Sequence, residues 1–73
     1  MTPVKGERTR AQILDAAYRA FLDNGYNGTS MRALARAAGL TLGGMYAHFS
    51  GKEEIFLAVL ERYNPYRTML AGM

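Results

Sequence analysis

The sequence contains no cysteine, which excludes a disulfide framework and a thiolate metal site. Stability has to come from packed apolar side chains, and a reducing compartment is compatible with the chain. No apolar run is long enough to cross a bilayer: the longest, Ile55 to Leu60, falls far short of the roughly 20 residues a spanning helix needs. The opening residues 1–8 hold no apolar core of signal-peptide length. The expected setting is a soluble protein of the cytoplasm, without a membrane partner. Histidine occurs once, as His48, with no carboxylate cluster around it, so neither a metal-ligand set nor a nucleophile–base pair can be drawn from spacing. The adjacent Glu53 and Glu54 fit helix capping and dipole roles. No catalytic residue, cofactor or metal is expected, and an enzyme is the weakest of the functional readings.

A third absence is more telling. No aspartate or glutamate lies between Asp23 and Glu53, whereas Arg32, Arg36, His48 and Lys52 do. The net charge of +3 and the pI near 9.6 are in themselves only mild pointers to a polyanionic partner. The distribution presents one stretch as purely cationic, which fits either a solvated basic surface or a nucleic-acid-binding face.

The 73 residues make at most one small domain, which buries only about 60% of the surface its unfolded chain exposes. Helical signals run along all of it. Thr9 and Gln12 form a capping box that predicts a helix start, Ile13, Ala17, Ala20 and Phe21 recur at helical spacing with Leu14 and Tyr18 beside them, and Asn24-Gly25 supplies a left-handed stop. Tyr26-Asn27-Gly28-Thr29 is turn chemistry. Ser30 caps a second short helix with the apolar stripe Met31, Leu34, Ala35 and Ala38, ending at Gly39. Leu40 anchors the turn, and Thr41 caps a third helix reaching Phe49. Ser50 and Glu53 form another capping box ahead of a fourth helix, whose face is Ile55, Phe56, Val59, Leu60 and Tyr63 and whose end falls near Asn64-Pro65. There is no internal repeat, low-complexity tract or β-alternation. The expected fold class is all-α.

Two short helices around a glycine-containing turn, Ser30 to Phe49, meet the specification of a helix-turn-helix, whose second helix enters the major groove of DNA. An ordinary helical hairpin has the same composition, and helix three decides between them. At 100° per residue, Met45 and Phe49 form its core face and leave Gly43, Gly44 and Ala47 outside. Two glycines on that face, each costing about 1 kcal/mol against alanine in a helix interior, are compensated by close approach of the backbone to another surface. Tyr46 and His48 flank the bare face, where each can donate to phosphates. Lys52, in the first turn of helix four, opposes the helix dipole, and a phosphate there would explain it. Arg32 is the long donor best placed for a guanine edge or a phosphate. Arg36 reads as a solvated surface residue.

The runs Thr29-Ser30-Met31-Arg32-Ala33-Leu34-Ala35, Ala38-Gly39-Leu40-Thr41 and Tyr46-Ala47-His48-Phe49-Ser50-Gly51-Lys52-Glu53 resemble the TetR family of bacterial transcriptional regulators, over about Thr9 to Tyr63. The resemblance implies a three-helix, homeodomain-like bundle with a helix-turn-helix, plus a fourth helix leading toward a C-terminal domain. It implies phosphate contacts at Ser30, Tyr46, His48 and Lys52, and base-proximal contacts around Arg32 and Thr41, Leu42, Gly43 and Gly44. It further implies a homodimer on a palindromic operator of double-stranded DNA, most often a repressor released by a small-molecule inducer, in the bacterial cytoplasm and on the nucleoid when bound. Dimerisation and induction belong, in the family, to a larger domain that follows. The expected division is a basic arm over 1–8, the DNA-binding domain over 9–63 and the start of a regulatory domain over 64–73. The position of Gly44 more often carries threonine, serine or alanine in the family. Sequence reading is therefore expected to lean on Arg32, the basic arm (Lys5, Arg8, Arg10), contact of Leu42 with thymine methyls, and DNA shape. The rival reading is a protein-interaction module that uses the exposed apolar part of helix four and the tail.

Overall fold

A computed structural model describes the backbone of residues 5–63 and the side chains of residues 8–63. It contains four helices, α1 (Lys5–Asn24), α2 (Met31–Ala38), α3 (Leu42–Tyr46) and α4 (Lys52–Tyr63), and no strand among the described residues. The all-α expectation holds. None of these helices is long and apolar enough to cross a membrane.

One core serves all four elements. Ile13, Leu14 and Ala17 of α1 meet Leu34, Ala35 and Ala38 of α2, Met45 of α3 with Phe49 just beyond it, and Ile55, Ala58 and Val59 of α4. α1 lies against both α2 and α4, and α3 is held mainly by α2. In α4 the stripe differs from expectation. Ala58 takes an inward place, while Leu60 and Tyr63, 46% and 36% exposed, lie at the margin.

The connections explain why the helices stop where they do. Gly25 is left-handed and its N–H bonds to the Phe21 carbonyl, as Asn24-Gly25 predicts. Gly28 is required sterically, since a Cβ there would lie 2.2 Å from the Asn24 carbonyl oxygen. The buried Thr29 hydroxyl donates to the Gly25 carbonyl at 2.7 Å, with the Ala20 carbonyl 3.3 Å away. It thereby ties the end of α1 to the entrance of α2 and satisfies carbonyls that have no helical partner. Ser30 caps α2, its Oγ accepting from the Ala33 N–H at 3.0 Å. Gly39, at φ +74°, closes α2. Its N–H bonds to Arg36 and that of Leu40 to Ala35, the paired bonds of a Schellman turn, with Leu40 packed on the core.

Four local expectations are corrected. α1 begins at Lys5, not Thr9, so Lys5 and Arg8 of the expected arm are helical. Thr9 has no helix start to cap, because α1 already runs through it, and the Gln12 amide donates to the Ala38 carbonyl at the end of α2. The helix expected over 41–49 has only five residues. After Tyr46 the Met45 carbonyl accepts from both His48 and Phe49 N–H groups, a tightening that ends the helix and turns Phe49 into the core. At α4 the partner of Ser50 is Glu54 rather than Glu53. Its carboxylate accepts from the Ser50 N–H at 2.8 Å and from the Ser50 hydroxyl, because α4 starts at Lys52, one residue later than a Ser50 cap with Glu53 requires.

Candidate DNA-binding surface

The turn between α2 and α3 is set by two side-chain caps. Thr41, in extended conformation, accepts the Gly44 N–H on Oγ1 at 3.0 Å. Ser30 does the same for α2. Each hydroxyl is used as an acceptor and keeps its own proton for donation outward, the arrangement a phosphate contact needs. Both residues are exposed, as is Arg32 beside Ser30. Arg36, also exposed, lies in the last turn of α2, where its charge complements the helix dipole.

α3 presents its glycines unequally. A Cβ at Gly43 would meet nothing within 4 Å, so this position is open, as expected. A Cβ at Gly44 would lie 3.1 Å from Thr41 Oγ1 and 3.8 Å from Leu40 Cβ. Gly44 is therefore partly covered by the cap of its own helix, a correction to the uniformly bare face, and local crowding supplies part of the reason for glycine there. Met45 and Phe49 are buried as the core side. Tyr46 is 52% exposed, an aromatic ring largely in solvent. Ala47 and His48 are exposed in the turn that follows, and Leu42 is half-buried at the start of the helix.

Lys52 departs most from expectation. Its Nζ donates to the Tyr26 carbonyl at 2.9 Å and sits 4.2 Å from the centroid of the Tyr26 ring. The ring packs in turn with Phe21 at 5.8 Å and edge-on to Phe56 at 5.0 Å. The charge at the start of α4 thus has a structural partner, and a phosphate is not required to account for it. Spacing could not find this contact, since the partners are 26 residues apart and Tyr26 reads only as turn chemistry. Arg10 is another long-range case: its guanidinium lies 5.4 Å from the Phe49 ring centroid. Glu54 nearby is held below its ordinary carboxyl pKa by the Ser50 hydroxyl, then by the Ser50 N–H and the charge of Arg10, against slight desolvation.

The structure thus brings Thr41 and Gly44 together in one cap and sets Ser30 and Arg32 on the neighbouring helix. It draws Lys52 to the turn that precedes Ser30.

Comparison with known proteins identifies the family to which this fold belongs. The family model described as bacterial regulatory proteins, tetR family, matches residues 13–59. The HTH-type transcriptional regulator SrpR of Pseudomonas putida is 42% identical over 59 residues, 81% of this chain and 28% of that protein. The HTH-type transcriptional activator FasR of Mycolicibacterium smegmatis is 42% identical over 57 residues, 78% of this chain and 26% of its own length. The crystal structure of MexZ, a key repressor responsible for antibiotic resistance in Pseudomonas aeruginosa, superposes with a TM-score of 0.73 at 46% identity, covering 77% of this chain and 28% of MexZ. The chain spans less than a third of the length of these proteins, and the relatives are regulators of transcription, not enzymes. Matched over most of its described residues, the chain belongs to the TetR family of bacterial regulatory proteins and carries the family's helix-turn-helix domain.

Proposed function

We propose that this domain binds double-stranded DNA, with α3 and the turn after it in the major groove. The observation that carries the reading is the exposed edge around α3. Gly43 opens onto empty space, Tyr46 is more than half exposed, and His48 and the capping hydroxyls of Thr41 and Ser30 face solvent beside it. Ser30, Tyr46, His48 and Lys52 donate to phosphates, and Arg32, Thr41, Leu42, Gly43 and Gly44 lie nearest the bases. Because α3 offers few base-reading groups, sequence preference comes largely from Arg32, from Lys5, Arg8 and Arg10 at the start of α1, from Leu42, and from DNA shape.

In the complete regulator the domain over 9–63 acts as one half of a homodimer on a palindromic operator, in the bacterial cytoplasm and at the nucleoid, most simply as a repressor released by a small molecule. Residues 64–73 lie outside the described residues and would begin the regulatory domain. A salt titration on duplex DNA tests the reading. A DNA-binding head loses affinity steeply as salt rises, with a log–log slope set by the number of phosphates neutralised. A protein-interaction module using the exposed Leu22, Leu57 and Leu60 gives no salt-dependent DNA binding.

A further inference from the structure

Lys52 stands where helix electrostatics disfavour it, in the first turn of α4. Its charge is held there by one residue in two ways, the carbonyl of Tyr26 at 2.9 Å and the face of its ring at 4.2 Å. The ring is fixed in turn by Phe21 and Phe56, which also meet each other edge-on at 5.4 Å. An ammonium has three N–H donors. The carbonyl takes one, and the others remain for an anion. A solvated lysine samples many rotamers and loses that freedom when it grips a phosphate, whereas one already fixed in the folded protein does not.

We propose that Tyr26 is a positioning residue of the DNA-binding surface, acting through Lys52: its ring and carbonyl hold the ammonium in a single place so that Lys52 meets a phosphate without further ordering. The inference rests on the DNA-binding reading. It assigns Tyr26 no contact with DNA.

The test is a double-mutant cycle on the 73-residue chain, titrated with a short random-sequence DNA duplex over a range of salt. Tyr26→Phe, which keeps ring and carbonyl, binds as the parent does. Tyr26→Leu, which removes the aromatic face and leaves every charge, binds about two- to tenfold more weakly at a given salt with an unchanged log–log slope. Lys52→Met weakens binding and lowers the magnitude of the slope by about one. In the Lys52→Met background, Tyr26→Leu adds nothing. Melting followed by circular dichroism identifies the temperature at which all variants are folded. A second measurement needs no variant: the Lys52 side-chain protons beside the ring show upfield ring-current NMR shifts in the parent chain.

Parent-like binding by Tyr26→Leu overturns the proposal. So does an equal loss in the Lys52→Met background, which would assign Tyr26 to packing alone, and so do ordinary Lys52 shifts. Failure of the parent chain to bind the duplex at any salt overturns the DNA-binding reading and this inference with it, an outcome distinct from the other three.

Discussion

Alanine at Gly43 and alanine at Gly44 should have different effects, although the two residues are adjacent in a five-residue helix. At Gly43 the added Cβ meets nothing within 4 Å, so the helix gains the usual advantage of alanine over glycine, about 0.5–1 kcal/mol near a helix end. For a domain of this size that raises the melting temperature by roughly 2–8 °C. At Gly44 the same gain is opposed. The Cβ arrives 3.1 Å from Thr41 Oγ1, the atom that accepts the Gly44 N–H and caps α3. The hydroxyl must move by a few tenths of an ångström, and a cap is worth about 1 kcal/mol. The two terms nearly cancel, and Gly44→Ala is expected to melt within about 2 °C of the parent. Binding should reverse the ranking. A methyl group at Gly43 projects from the face proposed to approach DNA, where overpacking costs about 1–3 kcal/mol, or roughly five- to 150-fold in Kd. Thermal melting by circular dichroism and fluorescence anisotropy on a DNA duplex measure the two effects separately. If Gly43→Ala melts higher and binds DNA as tightly as the parent, the close-approach argument fails at that residue. If it does not melt higher, α3 is not limited by its glycines.

Thr29→Val keeps shape but removes the buried hydroxyl that serves the Gly25 carbonyl and lies near that of Ala20; it should cost about 1–3 kcal/mol in chemical denaturation, and a loss within error would assign no stability to that link. Glu54 has a depressed carboxyl pKa, so its contribution is present above the unfolded value near 4.5 and is lost as pH falls through the folded value. Glu54→Gln should therefore melt below the parent at neutral pH and converge with it in acid; a gap independent of pH would refute the cap as its origin. Arg32→Ala should relax base preference in a binding-site selection with the full-length regulator, and an unchanged preference would remove Arg32 from the base-reading set.

Much of the fold is written in local chemistry, which is why it can be read from one sequence. Ser30 and Thr41 cap the helices after them, and Gly39 ends α2, because capping depends on residues within a turn of each other. The heptad-like spacing of Ile13, Leu14 and Ala17, and of Leu34, Ala35 and Ala38, marks the inner faces for the same reason. Some readings failed by a local shift, as where Glu54 takes the place of Glu53 at Ser50, and others where a contact distant in sequence intervenes. Gln12 stands at capping-box spacing from Thr9, yet α1 starts a turn earlier and the Gln12 amide reaches the carbonyl of Ala38. The length of α3 was also beyond reach, since Phe49 turns inward to a core assembled from all four helices.

The candidate site divides along the same line. Gly43 and Tyr46 are legible because their exposure follows from the phase of Met45 on α3, and His48 is exposed in the turn that follows. Lys52 looked unexplained because only its own helix was in view, where its charge opposes the dipole. With Tyr26 beside it, the placement is accounted for: a charge disfavoured at the start of α4 is held by the carbonyl and aromatic face of Tyr26. This also alters what the stretch free of acidic residues means. An aspartate or glutamate near Tyr26 would compete for the ammonium and neutralise it, whereas a carbonyl and a ring hold the charge without cancelling it. The acidic residues begin again at Glu53 and Glu54, and the Glu54 carboxylate is occupied by Ser50.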